Sequence, residues 1–488
     1  MNRVPFRRHA LMMMTTVMWA AGCTAGRRTV TVALAAAACA SGCGTPEDGD
    51  DTVRRDLSTD DQYRALAEYW APRWYQDTDS SFYKGDYLTR FEFDGDYNGK
   101  NNWESLDSYS TVPAYIYYAV SETVTHYFLG YYVFHPRDWH EILTFDRHEN
   151  DFEGIVVAVA KSGGMGSLVA LETLAHDQIY QYAHAPGITS GSDNVDGAVR
   201  LYGGSHPEIF IEAKGHGIYG CDSRCDSAPG GDGIVYYAGS AAESPTDGSG
   251  NWSRQYSYQL IAMDADGSRD GNQGLWYRRH DICDTCTFGV WGKLRGDNYG
   301  TNSANMPWSW DDPDDGQAFS GDLGCDPAML FDVHLNGTPF DSNFSHVYVN
   351  HPYRSHEIVI TRVRSDRNRD SFGGKSDILV KVTAEGAPSG SNDVLDARAW
   401  KHDNATVDAW YPFRYGADNA EGEKRFGDAI TRHSFCRQAG AAVEVAVYDS
   451  DSPSADDYMG SIAITGSANY SQGIDLGDAR IEFTLTTF

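Results

Sequence analysis

Hydrophobic positions along this chain change period once and then keep the new one. From Asp61, "DQYRALAEYWAPRWYQD" puts Tyr63, Leu66, Ala67 and Trp70 on one helical face, and Pro72 stops the pattern, which predicts a single short helix. After it come short runs bounded by Gly, Asn and Asp: "VPAYIYYAV", "HYFLGYYVF", "FEGIVVAVA", "EIFIEA", "GIVYYAG" and "YQLIAM". Their β-branched and aromatic content predicts strands. Several are apolar on both parities, the mark of strands covered on both faces. A second series of strands and acidic loops begins at "HEIVITRVRSDRNRDSFGGKSDILVKVTAE" and continues to Phe488. The expectation is an all-β protein, two β-sandwich domains in tandem over 61–355 and 356–488, with one short N-terminal helix.

The segment before residue 61 reads differently. Two overlapping export signals fit, each with arginine, a short apolar run and a small-small-Cys end: one ends at Cys23, the other, "GRRTVTVALAAAACASGC", at Cys43. The second is preferred, giving a bacterial lipoprotein-type signal peptide over 1–43, lipidation at Cys43 and a polar tether over 44–60. The chain would then be exported, either anchored to a membrane or secreted. Six cysteines remain: Cys221, Cys225, Cys283, Cys286, Cys325 and Cys436. An even number in an exported chain predicts disulfides, while "CDSRC" and "CDTC" also have the spacing of a four-thiolate zinc site. Lys and Arg total 39 against 69 Asp and Glu, a net charge of -30. That balance excludes nucleic acid as a partner, since phosphate backbones require clustered cations. The acids gather in loops, which suits divalent cations as well as solubility.

One such gathering is "FDRHENDFEGIVVAVA", with "HENDFE" at the head of an apolar strand. Asp151 and Glu153 share a strand face, and His148 has the opposite parity, so convergence of all three requires a bend before Asp151. Two carboxylates on one face repel unless a cation joins them. Upstream, "FHPRDWHE" offers Asp138 and His140 at the end of another strand, and His176 and His216 stand at two further strand ends. The candidate metal ligands are His148, Asp151 and Glu153, with Asp138 or His140 upstream as a fourth, a donor set that favours Ca²⁺ or Mg²⁺ and also admits Mn²⁺ or Zn²⁺.

Together with "IFIEAKGHGIY", "APRWYQD", "DGDYNGKNNWE" and "PWSWDDPDDG", this stretch resembles the necrosis- and ethylene-inducing-peptide-like proteins, and more closely the vacuolar protein sorting-associated protein 62 family, over about 61–350. The family heptapeptide Gly-His-Arg-His-Asp-Trp-Glu stands here as "RHENDFE", which implies metal contacts at His148, Asp151 and Glu153 and an upstream one at Asp138. Arg147, Glu149, Asn150 and Phe152 depart from that heptapeptide. The resemblance implies a β-sandwich with a divalent ion in an acidic cavity that engages a glycolipid headgroup, in some members with membrane damage.

The second gathering joins "RDSFGGKSD", before a strand, to "VEVAVYDSDSPSADDYMG", after one. Asp370, Asp377, Asp449, Asp451 and Asp457 supply carboxylate oxygens for Ca²⁺. With "NATVDAWYPFRY", this part resembles conserved region 2 of protein kinase C, the calcium-dependent lipid-binding sandwich. The resemblance implies that these five aspartates coordinate Ca²⁺ and bridge to anionic phospholipid. Ile378 replaces the proline usual there, and the first loop carries one extra residue. The leading reading is a non-enzymatic protein on a lipid or glycolipid surface. One rival is a metal-dependent hydrolase in which His176 or His216 is the general base; another is a structural surface lipoprotein whose metals stiffen loops.

Overall fold

A computed structural model describes residues 57–139, 147–176, 178–184, 195–299, 304–310, 322–335, 344–368, 375–384, 401–412, 432–449 and 457–488. The expected signal peptide with Cys43, most of the expected tether, His140, Asp370 and Asp451 lie outside the described residues.

Helix α1 (Leu57–Tyr69) opens the described chain. Tyr63, Leu66, Ala67 and the following Trp70 are buried, whereas Tyr69 is exposed, as the helical spacing requires. Strands of the first module follow in order: β1 Arg73–Asp77, β2 Tyr115–Thr123, β3 His126–Asp138, β4 His148–Ala160, β5 Ser167–Ala175, β6 Gln178–Ala183, β7 Gly197–Ala198 and β8 Leu201–Tyr202. Then come β9 His206–Ile211, β10 Ile218–Gly220, β11 Gly233–Ala238, β12 Gln255–Ala262, β13 Phe288–Val290, β14 Lys293–Leu294 and β15 Tyr348–Asn350.

Except for the β13–β14 hairpin, these form one sheet of 13 strands in the order β10-β9-β1-β11-β12-β2-β3-β4-β5-β6-β7, with β15 on β2 and β8 on β9. The sheet curls so that β10 packs on β5 and β4. It thereby encloses an inner core of Leu129, Tyr131, Val133, Ile155, Val157, Ile209, Ile211, Ile218 and Tyr236. The alternate residues Phe128, Tyr132, Phe134, Phe152 and Val156 face a second core, covered by Trp308, Trp310 and Phe331. Two cores explain why β3 and β4 are apolar on both parities. Each fully buried side chain contributes about 1.5–3 kcal/mol, so a one-residue slip, which exchanges the faces, is strongly disfavoured.

The second module contains β16 His356–Ser365, β17 Ser376–Ala384, β18 Lys401–Ala405, β19 Trp410–Pro412, β20 Arg432–Phe435, β21 Ala442–Asp449, β22 Asp457–Thr465, β23 Ala468–Asn469, β24 Ile474–Asp475 and β25 Ala479–Thr487. One sheet runs β19-β16-β25-β23, with β20 on β16 and β24 on β25; the other runs β18-β17-β21-β22. Between them lie Ile358, Ile360, Val380, Val382, Val443, Val445, Ile481 and Phe483, the core of a β-sandwich.

The expected all-β class is observed, and the single expected helix is joined by α2 (Asn102–Ser108), α3 (Asp322–Cys325) and α4 (Pro327–Leu335). Helix α4 shows no amphipathic stripe because it is wedged between cores, with Leu330 and Phe331 in one and Met329 in that of the second module. Beside it, Cys325 is bonded to Cys436, tying the two modules together. The buried Asp326 accepts hydrogen bonds from Tyr348 Oη (2.7 Å) and the Ser434 N–H (2.8 Å). Cys221 bonds Cys225, and Cys283 bonds Cys286. Those four sulfurs are therefore consumed pairwise, and the zinc alternative falls.

Candidate metal centre

The centre closes one end of the inner core. Strand register sets His135 opposite Asp151, Val133 opposite Glu153 and Asp138 opposite His148. Leu129, Tyr131 and Val133 point into the inner core, so His135 continues their row; Ile155 and Val157 do likewise for Glu153 and Asp151. Between His148 and Asp151 the alternation breaks at Asn150, whose φ is 63°, in the left-handed region. Its side chain holds that turn by donating to the carbonyls of Gly99 and Arg295 and accepting from Asn102. The adjacent Glu149 is buried and accepts the N–H groups of Trp103 (2.8 Å) and Asp297 (3.0 Å); burial lifts its carboxyl to about 7.

His176 (φ 61°) and His216 (φ 58°) are also left-handed. Such backbone costs on the order of 1 kcal/mol or more per residue and collects at functional sites. His216 is fully buried, with Nδ1 2.8 Å from Asp151 Oδ2 and Nε2 3.4 Å from Asp86 Oδ1. Burial opposes its charge, but the hydrogen bond to Asp151 and the nearby Asp86 carboxylate outweigh that and raise the imidazole to about 10. Asp151 moves the other way: burial would raise it, and His216 holds it below the usual carboxylate range. His216 is thus an imidazolium clamped between carboxylates. Asp86 is fixed in turn, accepting the N–H groups of Asp79 and Lys214 and the Trp139 indole N–H.

Glu153 is less well balanced, with the His176 ring 3.8 Å from its Oε1. It is buried, and burial first, then the Asp151 carboxylate, push its acid well above the usual range. One oxygen accepts the His176 N–H at 2.8 Å. The other, Oε2, is buried and makes no hydrogen bond. Nearby, His148 Nε2 lies 3.7 Å from Asp138 Oδ2, and His176 Nδ1 lies 3.8 Å from Glu153 Oε1.

The donor atoms of His135, Asp151 and His216 lie within metal-binding spacing of one another. The two rings do not suit a shared ion. They stack with centroids 3.7 Å apart and 8° between planes, so their in-plane lone pairs run parallel instead of converging, and His216 Nδ1 is already committed to Asp151. His135 Nε2 instead meets Gln76 Oε1 at 3.1 Å, and burial followed by the His216 charge depress its pKa, leaving a neutral ring against a charged one. Among the described residues Asp138, His148, Asp151 and Glu153 do not all come within metal-binding spacing of one another: Asp138 meets His148, while Asp151 and Glu153 share one strand face.

Of the two candidate bases, His216 is sealed from solvent with its ring between carboxylates, which removes it from proton transfer to a substrate. His176 is half exposed, and its Nε2 is 2.7 Å from Glu212 Oε1, whose hydrogen bond raises the ring's pKa. Sequence reasoning passed over His135, Gln76, Asp86 and Glu212. Strand parity carried through "YYVFHPRD" would have found His135; Asp86 sits in a short turn and has no periodic signal.

In the second module, Asp377, Asp449 and Asp457 meet at one end of the β17–β21–β22 sheet, where Asp449 pairs in register with Asp457 and with Ile378. Asp449 is fully buried; its Oδ1 accepts the Asp377 N–H at 2.6 Å, and its Oδ2 makes no hydrogen bond. Asp457 is exposed.

No protein-family model matches the chain, and no curated protein matches it. Among solved structures, human GIVD cytosolic phospholipase A2, with methyl gamma-linolenyl fluorophosphonate and terbium chloride, aligns at 12% identity and a TM-score of 0.18 over 27% of this chain and 17% of that one. The chain thus spans under a fifth of that enzyme. A C2 domain aligns at 18% identity and a TM-score of 0.19, over 27% of this chain and 96% of its own. A protein described as a toxin fold for microbial attack and plant defense aligns at 13% identity and a TM-score of 0.22, over 43% of this chain and 87% of its own. Likenesses at these scores carry no weight on function.

Proposed function

We propose that this is an exported, divalent-cation-binding protein that attaches to lipid or glycolipid membrane surfaces, with Ca²⁺ or Mg²⁺ held in the first module and Ca²⁺ in the second. The observation that carries the reading is Glu153: a fully buried carboxyl with one oxygen lacking any hydrogen bond, beside Asp138, His148 and Asp151. Orphaned buried oxygens are rare in native proteins, and a bound cation satisfies one. Asp449 repeats the pattern in the second module. Three disulfides suit an oxidising compartment outside the cytosol.

In that module the ion would join the β21–β22 loop to anionic phospholipid, turning a repulsive acidic edge into an attractive one. Cosedimentation with phosphatidylserine vesicles, in Ca²⁺ and in chelator, tests this. Asp449→Asn keeps an oxygen for the Asp377 N–H yet removes the charge, so pelleting should drop to the chelator level. Equal pelleting of the parent chain in Ca²⁺ and chelator would rule out the membrane role.

A further inference from the structure

A second candidate site lies on the other face of β1. Gln76 and the metal centre belong to the inner side where β1 ends; Arg73, at its start, shares the outward parity of Tyr75. There Arg73, Tyr202, His206, Tyr237 and Gln255 line a groove of about 270 Å³. Arg73 forms no ion pair among the described residues. Its register partner across β9, Glu208, is engaged by Tyr75 Oη (2.6 Å) and Arg200 Nε (3.2 Å). The guanidinium lies over the Tyr202 ring, 4.2 Å from its centroid, and its Nε is buried without a hydrogen bond.

This arrangement is directional. The guanidinium is a planar fork of N–H donors that matches a carboxylate bidentately, and it also lies near the Tyr75 hydroxyl. Tyr202 and Tyr237 are 53% and 38% exposed, apolar ring surfaces at the groove. His206 Nδ1 lies 2.7 Å from Ala71 O, a group that only accepts; the proton is therefore on Nδ1, and Nε2 remains an acceptor in the neutral ring. Gln255 adds an amide.

We propose that this groove binds an acidic sugar, a uronate-type ring whose carboxylate meets Arg73, whose apolar face packs on tyrosine and whose hydroxyls meet His206 and Gln255. The volume is small beside pockets for drug-sized ligands, roughly 300–1,000 Å³, and suits one ring of a longer chain. A phosphate would bring about 1.5 to 2 negative charges to a groove with one guanidinium, so the single-charged carboxylate fits better.

The test is calorimetry and saturation-transfer NMR on the full chain with oligogalacturonate, neutral gluco-oligosaccharide and inositol phosphate, each in chelator and in Ca²⁺. Oligogalacturonate should bind in both conditions and the other two should not. Arg73→Gln should weaken it at least tenfold, Arg73→Lys nearly as much, and Tyr202→Ala should weaken it through loss of the ring. Binding that persists in Arg73→Gln, that favours inositol phosphate, or that is absent from the parent chain overturns the proposal; the chelator arm separates such a failure from failure of the metal reading. If Arg73→Gln does not fold, as judged by its melting transition, Tyr202→Ala, at an exposed side chain, decides.

Discussion

Replacing Glu153 by Gln separates an ion-holding carboxylate from a merely buried acid. Without an ion, burial and the Asp151 carboxylate disfavour the charged form of Glu153; glutamine has nearly the same shape, and its carbonyl still accepts the His176 N–H. Stability in chelator should change by less than about 1 kcal/mol, since the one hydrogen bond is retained. With an ion the two proteins diverge. At a free cation concentration 100-fold above Kd the parent gains about 2.7 kcal/mol. At roughly 2–4 °C per kcal/mol for a unit of this size, that is a rise of about 5–10 °C in Tm. Glu153→Gln should lose most of the rise from the first module and bind one ion fewer by calorimetry, while the second module keeps its own site. Differential scanning calorimetry with millimolar Ca²⁺ or Mg²⁺, against chelator, reads this. An identical cation-induced rise in parent and variant, or no rise in the parent, would refute the assignment.

Two predictions concern the scaffold. His126, buried, and His351, partly buried, have pKa values pressed down to about 4, first by desolvation and then by Lys161 and Arg354 respectively. An unfolded imidazole near 6.5 takes up protons that these folded ones refuse, so stability is fully present above about pH 6.5 and falls as pH drops towards 4. His126→Phe, which keeps a ring against Phe344, should flatten that decline in the urea midpoint; an unchanged slope would show that His126 does not drive it. The Cys325–Cys436 bond spans 111 residues, and its removal by paired serine substitution should cost about 2–5 kcal/mol, seen as a lower denaturation midpoint in the non-reduced protein. Equal midpoints would mean that the Asp326 hydrogen bonds alone hold the modules together.

The pattern of apolar runs was enough to place β2, β3, β4, β9, β11 and β12, because each is a short run long enough to cross a core and is bounded by turn residues. It missed α4, whose two buried flanks erase the periodicity that identifies a helix. At the metal centre, two-residue alternation put Asp151 and Glu153 on one face and demanded a bend before them, and the structure has a left-handed residue at Asn150. What alternation on one strand could not reveal is how the charges are balanced. From sequence, the clustered carboxylates seemed to require a cation as a group. In the structure the requirement is unequal: Asp151 already has the His216 imidazolium, held from behind by Asp86, a residue brought in from a turn 65 positions upstream of Asp151. Glu153 has the His176 N–H and, 3.8 Å away, the His176 ring, yet burial and the Asp151 carboxylate still push its acid upward. A divalent ion would offset the two causes that raise the Glu153 acid, its burial and the Asp151 carboxylate. Cation binding should then act as an added stabilisation on an already folded sandwich, and chelation should weaken the protein without unfolding it.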